Sequence, residues 1–164
     1  MRLNFRRWRA EQWDMSQPRQ GGEYHPEYDA LRREYNDFRY FLPDALVEID
    51  LASLQVLYAN RMAEIVLGIT AADVKGGLNG SALVAPEDVP RMLDILAGYI
   101  NESRGANEPY TRTGKQEIHY VTMRRIDGST FPGETQSSFV LDGHGVPVRM
   151  LSLIRDVSHR LDRE

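Results

Sequence analysis

Three runs near the C-terminal end, residues 116–126, 130–141 and 147–156, are separated by Asp127-Gly128 and by Asp142-Gly-His-Gly145. Asp-Gly is favoured where both central residues of a hairpin turn need positive φ, so the runs read as consecutive antiparallel strands. No other feature constrains the fold as much, because a sheet of that length must bury one face. Along 130–141 one parity carries Thr130, Pro132, Glu134, Gln136 and Ser138, and the other Phe131, Gly133, Thr135, Ser137 and Phe139. Burying Glu134 and Gln136 would be costly, so the second set points inward. By the same reasoning Arg149 and Arg155 face water and turn Met150, Ser152 and Ile154 inward, while Val121 and Met123 face inward on the first strand and His119 shares their parity. The inward face therefore carries Gly133, Thr135 and Ser137 in a row between two phenylalanines, with hydroxyls that need partners. A site for a small polar ligand is expected there. The competing reading fills the space with Tyr99, Tyr110 or methionines and lets a few waters bridge the hydroxyls.

The rest of the chain supplies what such a sheet needs. Residues 45–49 and 56–59 read as two further strands joined by a loop, Asn60 as the cap of a short helix over 61–67, and Thr70 to Asp73 as a capping box closed by Gly76. A longer helix begins near Asp88, with Val89, Met92, Leu93, Leu96 and Ile100 at helical spacing, and ends before Arg104-Gly105. The order β-β-α-α-α-β-β-β predicts an α+β fold, a five-stranded antiparallel sheet with helices packed on one face. Ahead of it lie a basic arm and flexible linker over 1–26 and an amphipathic helix over 27–41. The spacing of Tyr28, Leu31, Tyr35, Phe38 and Leu42 is that of a two-heptad seam, suited to pairing two copies of the chain or to packing on its own domain.

Composition excludes several classes of chemistry. Of 164 residues 41% are hydrophobic, enough for one core, and the net charge of −4 argues against a nucleic-acid footprint, which needs an excess of Lys and Arg. Without cysteine there is no disulfide, thiolate metal site or cysteine nucleophile. No apolar stretch reaches the length of a membrane span, and no apolar run follows the N-terminal arginines, so the expectation is a cytoplasmic chain with no membrane partner. The acids lie at turns, caps and polar helix faces without forming a catalytic constellation.

Five segments, in order and spacing, resemble a PAS domain: Leu42-Pro-Asp-Ala-Leu-Val-Glu-Ile-Asp50, Val56-Leu-Tyr-Ala-Asn60 with Ala63-Glu64 and Leu67-Gly68, Ala85-Pro-Glu-Asp88, Arg124-Arg-Ile-Asp-Gly-Ser-Thr-Phe-Pro132 and Ile154-Arg-Asp-Val-Ser158. The resemblance implies a PAS domain over 42–157 and the start of a signalling linker helix over 158–164. It also implies a sensor or relay module of a bacterial-type, two-component signal-transduction protein and not an enzyme. Such a module dimerises through the helix before its first strand and passes its signal to a covalently linked output domain, a kinase or a cyclic-dinucleotide enzyme. The alternative is a purely structural dimerisation module with a filled core. Alignment with haem sensors of the family places Leu96 where they carry the ligand histidine, and an apolar residue cannot hold iron. Light-sensing members form a flavin adduct through a cysteine, which this chain lacks. No cofactor is expected, although a flavin held without a covalent bond stays open. The expected ligand-binding residues are Leu96, His119, Val121, Met123, Gly133, Thr135, Ser137, Met150 and Ser152.

Overall fold

The computed structural model describes residues 26–103, 110–111 and 118–161. The basic arm and nearly all of the linker expected over 1–26 lie outside the described residues, as do Arg104-Gly105 and residues 116 and 117 of the expected third strand. Helix α1 spans Pro26–Tyr40 and leads into the hairpin β1 (Ala45–Asp50) and β2 (Val56–Ala59). Two short helices follow, α2 (Arg61–Leu67) and α3 (Ala71–Lys75), then the long helix α4 (Val89–Ser103). A two-residue strand β3 (Tyr110–Thr111) precedes β4 (His119–Arg124), β5 (Thr130–Leu141), β6 (Pro147–Asp156) and a final turn of helix, α5 (Ser158–Leu161).

The local chemistry explains the boundaries. The Asn60 side chain accepts from the Ala63 amide at 3.0 Å and starts α2. Thr70 and Asp73 satisfy each other's amides and start α3. Pro86 stands in the first turn of the 3₁₀ segment Pro86–Asp88 that leads into α4, where its missing N–H is no loss. Gly128, at φ 89°, makes the left-handed turn between β4 and β5 that a side chain would strain.

All pairings are antiparallel, and the sheet runs β2-β1-β6-β5, with β3 and β4 both on the far edge of β5. The short β3 pairs with Phe139 and Val140 at one end of β5, and β4 with Thr130 to Thr135 at the other. The expected five-stranded sheet is thus present, and its edge strand is preceded by this fragment. Helices α2, α3 and α4 cover one face, where Val47, Leu67, Leu83 and Phe139 are almost fully buried. Each such side chain contributes about 1.5–3 kcal/mol relative to exposure. No helix among the described residues is long and apolar enough to cross a membrane.

The seam of α1 behaves differently from its spacing. Tyr28 is buried (3% exposed) and Phe38 open (69%), so the five positions do not share one environment. Leu31, Tyr35 and Leu42 are half-buried. Arg39, from between the apolar positions, is 8% exposed.

Candidate ligand cavity and its two faces

Strand alternation builds one wall of a cavity in the core. β1 supplies Val47 and Ile49, β6 Met150, Ser152 and Ile154, β5 Thr135 and Ser137, and β4 His119, Val121 and Met123. The opposite wall is α4, which presents Met92, Ile95, Leu96 and Tyr99 at spacings of three and four. Leu93, assigned to that face by spacing, is 40% exposed instead. Leu54, Gly80, Ser81, Leu83 and Val84 close the space, which measures about 90 Å³. In this measure one water needs about 10–15 Å³, so the cavity has room for roughly six to nine.

Register fixes how the polar groups meet. Ser137 stands opposite Ser152, and their hydroxyls are 3.1 Å apart. Thr135 stands opposite His119 and donates its hydroxyl to the His119 carbonyl at 3.2 Å. The Tyr99 hydroxyl reaches across from α4 to His119 Nε2 at 2.6 Å, ring edge to ring face. Tyr99 thus acts here as the partner of His119 and also as part of the wall.

Of the nine expected ligand-binding residues, eight line the cavity: Leu96, His119, Val121, Met123, Thr135, Ser137, Met150 and Ser152. Gly133 does not. It is buried, but the position its side chain would take is filled by the Met123 side chain. The small residue accommodates the methionine of the neighbouring strand instead of opening a void. The contributions of Leu54, Gly80 and Ser81 were not visible in the sequence, because turns carry no periodicity from which to read a direction.

The opposite face of the sheet carries the charges. Glu48 is 3% exposed and accepts from Arg39 at 3.1 Å and from Arg149 at 2.7 Å. The Arg39 guanidinium lies 3.7 Å from the Tyr58 ring centroid and 5.1 Å from that of Tyr35. Burial pushes the Tyr58 hydroxyl pKa up, against the pull of Arg39. Further along, Glu134 meets Arg155 and Arg160, and Arg155 grips Asp44 with two hydrogen bonds of 2.8 and 2.6 Å. The hydrogen bond from Arg155 holds the Asp44 carboxyl below the usual aspartate range. Asn60, fully buried, ties the layers together: its Oδ1 accepts from the Leu46 and Ala63 amides, and its Nδ2 donates to the carbonyls of Arg39 and Asp44.

This arrangement of a meander, a hairpin and three helices over one face recurs in solved structures. A PAS domain from Colwellia psychrerythraea superposes with a TM-score of 0.64 at 17% identity, over 79% of this chain and 99% of that one. The fold is a PAS fold. An RNA-binding light-oxygen-voltage receptor is similar at TM-score 0.63 and 21% identity, over 90% of this chain, which spans 38% of that protein's length. A LOV domain of a blue-light activated histidine kinase from Erythrobacter litoralis is similar at TM-score 0.50 and 19% identity, over 70% of this chain and 96% of that one. No family model matches the sequence, and no curated protein does.

The described lining of this PAS cavity does not fit a flavin. The chain has no cysteine to form an adduct, and among the described residues the lining includes no amide side chain to meet the alternating donors and acceptors of a flavin's pyrimidine edge.

Proposed function

We propose that this chain is a sensor and relay module, not an enzyme, which binds a small molecule between its sheet and α4 and passes the occupancy of that site to its terminal helices. The observation that carries the reading is the cavity of about 90 Å³ in the centre of the core, with hydroxyl and imidazole groups on its walls. Interiors are otherwise close-packed, and a space of this size is unusual in a domain with no use for it. The relay rests on alternation. Val47 and Ile49 line the cavity while Glu48 between them holds Arg39 of α1, and Thr135 lines it while adjacent Glu134 holds Arg160 of α5. A shift of either strand is therefore felt at a terminal helix, and α5 would lead into a covalently linked output domain. A histidine kinase is the output named for one similar structure. Self-association through α1 would use its open aromatics, Phe38 and the adjacent Phe41, 69% and 62% exposed, and not Tyr28.

The rival reading is a structural module without a ligand. It draws on the pairing of Tyr99 with His119 and of Ser137 with Ser152, which gives those polar groups partners of their own. Native mass spectrometry of the freshly purified protein separates the two. A bound molecule released on denaturation, or a compound that raises the melting temperature of wild type but not of Thr135→Leu, supports the sensor. A ligand at a hundredfold excess over Kd adds about 2.7 kcal/mol. A bare mass together with no response to any compound in a metabolite panel would sink it.

A further inference from the structure

Among the described residues nineteen line the cavity, and none of these is Asp, Glu, Lys or Arg. The carboxylates next to the cavity-lining positions of β1 and β5, Glu48 and Glu134, lie on the other face of the sheet and pair with arginines there. Resting on the sensor reading above, we infer that the ligand is a neutral, mainly apolar molecule with a single polar group that both gives and takes a hydrogen bond, as an alcohol, a phenol or a primary amide does.

Charge decides the first half. A carboxylate, phosphate or ammonium entering this space leaves its hydration behind and meets no fixed counter-charge among the described lining residues, a loss on the order of a hundredfold or more in affinity. The imidazole of His119, the one basic side chain in the described lining, has its Nε2 committed to Tyr99.

The polar fittings decide the second half. The Tyr99–His119 hydrogen bond at 2.6 Å takes its direction from the imidazole tautomer. In the Ser137–Ser152 pair, at 3.1 Å, either hydroxyl can be the donor. The serine pair therefore has no fixed polarity and selects neither a pure donor nor a pure acceptor. A group that is both can join it, within reach of the Tyr99 hydroxyl, without leaving a buried hydroxyl unmatched. The remaining wall, with Val47, Leu96, Val121 and Met123, offers only apolar surface to the body of the ligand. Room for roughly six to nine waters suits a molecule with one ring.

The test is a matched set of one-ring compounds on the full chain at neutral pH: benzyl alcohol, toluene, benzoate and benzylammonium. Binding is followed by the methyl resonances of Val121 and Leu96, which face the cavity, and by the melting temperature. Benzyl alcohol is expected to shift both methyls and to bind about tenfold more tightly than toluene, while the two ions leave them unmoved at a hundredfold higher concentration. Tyr99→Phe should narrow the gap between alcohol and toluene while both still bind. Benzoate or benzylammonium binding as tightly as the alcohol would overturn the inference and leave the ligand site standing. Failure of all four, toluene included, to reach the methyls would bring down the sensor reading with it.

Discussion

Asn60→Ala tests how α1 is fastened to the domain. The side chain is fully buried and makes four hydrogen bonds, from the Leu46 amide at 2.8 Å, from the Ala63 amide at 3.0 Å, and to the carbonyls of Arg39 and Asp44 at 3.0 Å each. Alanine removes the cap of α2, worth about 1 kcal/mol. It also strands the buried Leu46 N–H and removes a donor from two carbonyls, that of Arg39 buried and that of Asp44 partly so, and an unmet buried group costs about 1–3 kcal/mol. The total is about 4 kcal/mol, which at an m-value of about 1–3 kcal/mol/M lowers the urea midpoint by more than about 1 M. Both tryptophans, Trp8 and Trp13, lie outside the described residues, so far-UV circular dichroism is the proper probe. Asn60→Asp separates the two halves of the effect. It keeps both acceptors but sets a carboxylate oxygen against the Arg39 and Asp44 carbonyls, so it should weaken the α1 attachment while preserving the cap. A midpoint shift under about 0.5 M for Asn60→Ala, or an Asn60→Asp variant as stable as wild type, would refute the reasoning.

Three other substitutions probe the two faces. Glu48→Gln leaves the Arg39 and Arg149 guanidinium groups without their carboxylate and should cost about 3 kcal/mol in the same unfolding experiment; a loss below about 1 kcal/mol would mean that solvent already screens the cluster. Gly133→Ala should cost about 1–3 kcal/mol by collision with Met123, and part of that cost should vanish in the background Met123→Ala; strictly additive losses would contradict the contact. Because the Arg155 hydrogen bond lowers the folded pKa of Asp44, the contribution of this carboxyl is present above its ordinary aspartate value and is lost as pH falls through the folded one. Asp44→Asn should therefore flatten the decline in melting temperature on acidification below about pH 4, and an unchanged slope would count against the pairing.

Element boundaries could be read in the sequence wherever side-chain chemistry ends an element: the Asn60 cap and the Thr70 capping box stand where their residue types require. The Asp-Gly pairs do mark the connections between strands, but as longer turns in which Gly128 and Gly145 take positive φ and the aspartates do not, so they are not the two-residue turns expected. The environment of α1 could not. Apolar spacing puts Tyr28, Leu31, Tyr35, Phe38 and Leu42 on one stripe, yet Phe38 is open and Arg39 is buried. Periodicity ranks residues by hydrophobicity alone, and it cannot register that an arginine becomes buriable when Glu48 and two tyrosine rings wait for it. Those partners come from β1, β2 and α1 itself, so the cluster exists only once the hairpin has formed.

The cavity wall was legible to the degree that parity alone determines it. A strand alternates sides without regard to its neighbours, so one costly pair, Glu134 and Gln136, was enough to turn Thr135 and Ser137 inward. Whether a small inward residue opens space is a different question, because it depends on what the adjacent strand places beside it, and that is a matter of register. Val121 pairs with Gly133 and Met123 with Phe131, which lets the flexible methionine lean diagonally into the place Gly133 leaves. Two rows on, Ser137 faces Ser152 on β6, and two small side chains in register cannot fill each other's space. The void therefore lies at the centre of the sheet, beside the serine pair, and not at the glycine where the sequence was smallest.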